Sequence, residues 1–216
     1  MIKRRPTPHA AGGRFRHAAS RACSAPPRRA ADAAAADACV IWNWRKMLVL
    51  RCTAKLLREL GCEPACNDDV EKAHGLNVWF ANLLRFDRRK CVLFTNETTL
   101  FSFLVPGLKR EQLRSLGEVF AKNLSERLAA EGLGKYEKKL LGGRSAIAIA
   151  KTNSKSVLGS MNDLALQFEY HIKDHGGLEN IDLKRLNRDI NRVPMGSLGY
   201  RYAIESFEGE LSRGTI

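Results

Sequence analysis

Lys151-Thr152-Asn153-Ser154-Lys155-Ser156 is the stretch whose residue types are best suited to chemistry. It lies between a predicted strand and a predicted long helix. A helix N-terminus presents unpaired N–H groups and about half a positive charge, which favours anions. The hydroxyls and lysines strengthen that preference, so Lys151, Thr152, Asn153, Ser154 and Ser156 are candidates to hold a phosphate or carboxylate. The Gly-rich turn of a P-loop is absent, so no triphosphate cradle is expected. The competing reading is ordinary capping of the helix by Asn153, Ser154 or Ser156, with solvated lysines. On the same helix Asn162 and Asp163 would form a polar pair at the mouth of that site, with Asn162 facing the sheet; otherwise they only fix helix geometry.

Other clusters carry weaker signals. Arg85, Arg88, Arg89 and Lys90 crowd one predicted turn, and with Lys109 and Arg110 they form a candidate basic patch for phosphate contacts. The plainer reading is a solvated turn that keeps a sheet end soluble. No RNA-binding aromatic signature accompanies these charges, so base readout has no support. His171 and His175 share a helix face, but Ile172 stands where a His-Glu-x-x-His motif has its Glu, and cations suit the end of a helix. Cys62 and Cys66 have three residues between them and no second pair, so no metal site is expected. Cys52 and Cys91 sit in apolar runs and read as buried small hydrophobes, and Trp79 reads as core.

The elements that must position these residues follow from periodicity. Met47–Cys52 is a short strand; Thr53 caps a helix over 54–60 that Gly61 stops. Residues 62–75 read as a loop. Asn77–Arg85 and Lys90–Asn96 are apolar runs joined by a short polar link, a β-hairpin signal, and Leu100–Val105 extends the meander to Pro106-Gly107. Lys109–Glu131 carries apolar residues at spacings of three and four and reads as one helix. Ser145–Lys151 alternates alanine with isoleucine, which suits a central strand under a helix. Ser154–His175 is a second long helix, and Asp182 caps a third that Pro194 cannot continue. Tyr200, Tyr202 and Ile204 alternate as a last short strand. The expected fold is α+β with two layers: a mainly antiparallel sheet of about five strands with three to four helices packed on it.

Charge divides the chain. It carries 36 basic and 23 acidic side chains, a formal +13, yet residues 1–46 hold ten of the basic and only two of the acidic ones. That segment also holds 13 alanines and four of the seven prolines, with no apolar period, so it cannot bury enough surface to order itself. Three readings fit it. Met47 opens the first strand, and Arg/Ala/Pro-rich text before such a Met resembles translated GC-rich non-coding DNA, a start-site artefact. A disordered basic arm and a transit peptide are the alternatives. The expected organisation is therefore a disordered extension over 1–46, a single domain over 47–208 and a flexible tail over 209–216. Hydrophobic residues at 44% and charged residues at 27% exclude global disorder. No apolar run approaches the roughly 18 residues of a membrane span.

Leu50-Arg51-Cys52-Thr53-Ala54-Lys55-Leu56-Leu57, Trp79-Phe80-Ala81-Asn82-Leu83-Leu84, Ser156-Val157-Leu158-Gly159-Ser160-Met161-Asn162-Asp163 and Asn191-Arg192-Val193-Pro194-Met195 together resemble an uncharacterised bacterial family. It is the domain-of-unknown-function family numbered six-nine-three-three, and the resemblance covers about residues 47–202. It implies a bacterial protein and no particular activity. The sequence leaves open whether this is an enzyme. The first expectation is an interaction or regulatory module without catalysis. The alternative is an enzyme or ligand-binding protein for a small phosphate- or carboxylate-bearing compound at the helix starting near Ser154. No cofactor is expected. The partner is unknown: a protein partner, or weak non-specific nucleic-acid binding through residues 1–46, and no membrane. With no secretory signal the thiols are expected to be reduced in a cytoplasm.

Overall fold

The computed structural model describes residues 47–142 and 147–213. The extension expected over 1–46 lies outside the described residues, as do 143–146 and 214–216. The strands β1 (Leu48–Cys52), β2 (Val78–Phe86), β3 (Arg89–Asn96), β4 (Ser102–Val105) and β5 (Ile147–Lys151) form one sheet in the order β4-β3-β2-β1-β5. The hairpin β2–β3 and the pair β3–β4 are antiparallel, as the meander predicts. However, β1 pairs in parallel with both β2 and β5. The sheet is mixed, which corrects the mainly antiparallel expectation. Parallel neighbours need long crossovers. Here α1 (Ala54–Leu60) and α2 (Asp68–Lys72) lead from β1 to β2, while α3 (Arg110–Arg114), α4 (Leu116–Ala130) and α5 (Glu137–Leu141) lead from β4 to β5.

Helices cover both faces, so the layers number three rather than two. On one face Leu48, Leu50, Trp79, Ala81, Val92, Phe94 and Phe103 meet Leu113, Leu116, Phe120, Leu124 and Leu128 of α3 and α4 and Phe207 and Leu211 of α8 (Ala203–Arg213). On the other, Val49, Val78, Phe80, Leu93 and Leu104 meet Val157, Met161, Leu164, Phe168 and Ile172 of α6 (Lys155–Asp174) and Leu186 and Ile190 of α7 (Leu183–Ile190). With both faces buried, apolar side chains occupy successive positions of the central strands and the alternation disappears.

Several element expectations change. The helix over 109–131 breaks at Ser115, whose ψ of 42° separates α3 from α4. The loop over 62–75 holds α2, capped by Asn67, which accepts a hydrogen bond from the Val70 N–H. The alanine-rich β5 is an edge strand, not a central one, and Ala148 and Ala150 belong to the same core cluster as the α6 side chains. Tyr202 does belong to a strand, but only as β7 (Arg201–Tyr202), paired with β6 (Pro194–Met195) in a separate ribbon. Ile204 and residues 209–213, expected as strand and tail, are turns of α8, and Leu211 is fully buried. Among the described residues no helix is long and apolar enough to cross a membrane.

Both outer strands make hydrogen bonds outside the sheet. The Ala65 N–H donates to the Ile149 carbonyl at 2.7 Å on the β5 side. On the β4 side two buried amides one turn apart, Asn187 of α7 and Asn191 at its C-terminal cap, take the place of a sixth strand. The Ser102 N–H donates to Asn191 Oδ1 at 2.8 Å and Asn191 Nδ2 donates to the Ser102 carbonyl at 2.7 Å. Asn187 does the same for Leu104, at 2.6 and 3.2 Å. Open edges invite aberrant pairing, and this ladder closes one. Asn187→Ala or Asn191→Ala strands a buried N–H and C=O, so each should cost about 1–3 kcal/mol in urea unfolding. Amide exchange at Ser102 and Leu104 should accelerate; unchanged exchange would show that the amides are not what protects the edge.

Candidate functional site at the carboxyl ends of β1 and β5

Cys52 and Lys151 are register partners at the ends of two parallel strands. From there the chain diverges. Thr53 leads into α1, whose Leu56 packs on the α4 face, while Thr152 and Asn153 lead into α6 on the opposite face. Adjacent parallel strands whose following helices leave to opposite faces form a topological switch point, the usual place for a ligand crevice in α/β sheets. Ser154 caps α6, accepting from the Val157 N–H at 3.3 Å, and the first turn of α6 holds no acidic side chain. Lys151, Asn153, Lys155 and Ser156 are exposed, and Thr152 and Ser154 are half-buried. Thr53 does not cap α1; its hydroxyl donates to Asn82 Oδ1 at 3.1 Å, adding two polar groups to the same end of the sheet.

Beneath this end lies a residue that the sequence reading passed over. Arg51 is only 1% exposed. Its Nη2 donates to the Val70 carbonyl at 3.0 Å and its Nη1 to the Lys151 carbonyl at 3.3 Å. Its Nε is buried and has no partner. A guanidinium has five N–H donors, so this one is under-used. Among the described residues the nearest carboxylate belongs to Glu71, at 3.9 Å on a side chain that is 58% exposed. Buried charges are normally paired closely, because the desolvation cost is several kcal/mol. The available signal was a single cation inside the apolar run Met-Leu-Val-Leu-Arg-Cys, where only a buried strand would leave it without solvent.

Glu97, in the β3–β4 turn, joins the same field. Burial pushes its carboxyl above the usual carboxylate range, opposed by the charge of Arg51, a hydrogen bond from the Gly75 backbone and the charge of His74. Folding thus raises the proton affinity of this carboxyl above its value in the unfolded chain. That contribution to stability is present below the ordinary glutamate range and is lost as pH rises through the raised value. Glu97→Gln should therefore be more stable than the parent at neutral pH and should lose part of the pH slope. Melting temperatures from pH ~4 to ~8 test this; parallel curves would contradict it.

The other candidates do not gather here. Asn162 and Asp163 are exposed, so Asn162 does not face the sheet. At ~1.5 Å per residue they lie about 12 Å along α6 from Ser154, away from the mouth. His175 Nδ1 lies 2.9 Å from the His171 carbonyl, to which it donates, and closes the helix end. Cys52 and Cys91 are buried, while Cys62 and Cys66 are exposed. Burial, with a smaller push from Cys62, raises the Cys52 thiol to about 12, so it stays protonated and inert. Among the described residues no group of three His, Cys, Asp or Glu side chains is placed to hold a metal ion. Of the basic cluster, Arg85 and Lys90 both pair with Glu59, and Arg89 with Glu179.

No curated protein and no solved structure matches the chain. One family model, a domain of unknown function (DUF6933), matches residues 49–206. The match takes in Arg51, the β2–β3 hairpin, the start of α6, Asn187 and Asn191. The chain thus belongs to the DUF6933 family.

Proposed function

We propose that this protein binds a small phosphate- or carboxylate-bearing compound at the carboxyl ends of β1 and β5. The observation that carries the reading is the buried Arg51 guanidinium, bonded to the Lys151 carbonyl with its Nε unpartnered. Lys151 supplies an exposed ammonium, and Thr152, Asn153, Ser154 and Ser156 supply short polar groups. The first-turn N–H groups of α6 add the helix dipole. Arg51 sets a fixed positive charge behind them, where low dielectric strengthens it. Binding is what these groups account for; no reaction step is assigned.

A thermal-shift screen of nucleotides and sugar phosphates on the full chain tests the proposal. A saturable rise in melting temperature, lost in Lys151→Ala, is expected. No hit, or hits that survive Lys151→Ala, would count against it.

The second reading is an interaction module without catalysis. Leu166 and Tyr170 favour it: they are 63% and 67% exposed and stand one turn apart on the outer side of α6. Under that reading a protein partner covers the two side chains and the same compound screen returns nothing.

A further inference from the structure

We propose that the turn end of the β2–β3 hairpin is a docking surface for the phosphate backbone of a nucleic acid, engaged without regard to sequence. This surface is separate from the anion site above and does not depend on it. The hairpin closes through Asp87 and Arg88, both in the left-handed region with φ of 47° and 63°. Such a two-residue turn favours Asn or Gly, so an arginine there holds its side chain at the tip against local preference. Arg85 and Lys90 are direct cross-strand neighbours. Like charges so placed repel, and Glu59 of α1 bridges them at 3.6 and 2.6 Å. The hydrogen bond from Lys90, with the charges of Lys90, Arg85 and Arg110, holds the Glu59 carboxyl below its usual range. One carboxylate thus serves three cations.

The other acid of the turn is turned away. Asp87 Oδ2 accepts the Leu178 N–H at 2.6 Å and is committed to the segment between α6 and α7. Arg89 pairs with Glu179 on the α6 face. Arg88, Lys109 and Arg110 have no salt-bridge partner among the described residues. Arg88, Arg89, Lys90, Gly107 and Leu108 line a shallow open groove of about 420 Å³, and Lys109 and Arg110 follow it directly in the chain. A single small anion needs convergent donors in an enclosed site. Here the cations are spread over both faces and the tip of a sheet end, an arrangement that suits a line of phosphates. No aromatic side chain lines the groove, so the contacts are to backbone and not to bases.

The test is a salt-titrated anisotropy assay of the full chain with a labelled duplex, comparing the parent with the double variant Arg88→Glu/Arg110→Glu and with Glu59→Gln. Both arginines are exposed, so the double variant should keep the parent's circular dichroism and melting temperature. Its affinity at 50 mM salt should fall by about tenfold or more, and the slope of log K against log salt should become shallower by about 2. Glu59→Gln frees Lys90 and Arg85 and should bind more tightly than the parent. Equal affinity and slope in parent and double variant would assign any binding to the basic segment 1–46 and overturn the proposal, as would the absence of binding at low salt.

Discussion

Arg51→Met should leave the unfolding free energy unchanged or raise it by about 1 kcal/mol and, in the same protein, abolish every ligand-induced thermal shift. The two effects have one origin. A buried guanidinium without a close counter-ion keeps its desolvation cost, and replacing such a charge by a well-packed apolar side chain is commonly neutral or stabilising by about 1–4 kcal/mol. The loss of two hydrogen bonds, to the Val70 and Lys151 carbonyls, takes back about 0.5–1.5 kcal/mol each. Met is chosen because it retains most of the volume. Arg51→Ala would add a cavity and should be destabilising instead. Urea unfolding of both variants measures the pair of signs. If Arg51→Met destabilises by several kcal/mol, the charge is already compensated inside the fold, and the anion site loses the observation it rests on.

Trp79→Ala should be the most damaging single substitution in the core, costing about 3–5 kcal/mol. Trp79 is fully buried at the start of β2. Its ring meets Phe101, Phe103, Phe120 and Phe207 at centroid distances of 6.4, 5.9, 5.1 and 5.9 Å. These four rings come from the segment before β4, from β4, from α4 and from α8, so one side chain ties the sheet to both helices on that face. Its Nε1 also donates to the Leu76 carbonyl at 3.0 Å. At ~2–4 °C per kcal/mol for a chain of this size, the melting temperature should fall by roughly 10 °C. A loss below about 1 kcal/mol would mean the aromatic cluster repacks around the gap.

The local features were legible. The β2–β3 hairpin follows from two apolar runs around a short polar link, and α6 from the Ser154 cap and apolar spacings of three and four. The strand order was not, because it is decided between residues far apart. Nothing near Ile147 says that β5 will pair with β1 rather than sit inside a meander. The α8 stripe, Ala203, Phe207 and Leu211 at intervals of four, was present in the sequence. The competing alternation of Tyr200, Tyr202 and Ile204 obscured it. The same holds for the site. The group from Lys151 to Ser156 declares itself by hydroxyls at a helix start. Arg51 is 100 residues away from Lys151 and joins it only through parallel pairing. The spacing of Asn187 and Asn191 is helical in the sequence, but their partner strand lies more than eighty residues earlier.

The most direct measurement of the anion site is the Arg51 Nε–H signal itself, in a two-dimensional ¹H–¹⁵N spectrum of the full chain, assigned by its disappearance in Arg51→Met. Inorganic phosphate, then nucleoside monophosphates and sugar phosphates, are titrated in. The account predicts a saturable shift of that signal together with the backbone amides from Thr152 to Val157, all with one dissociation constant. An Arg51 Nε–H that stays still while every compound is added, or shifts confined to other parts of the fold, would contradict it.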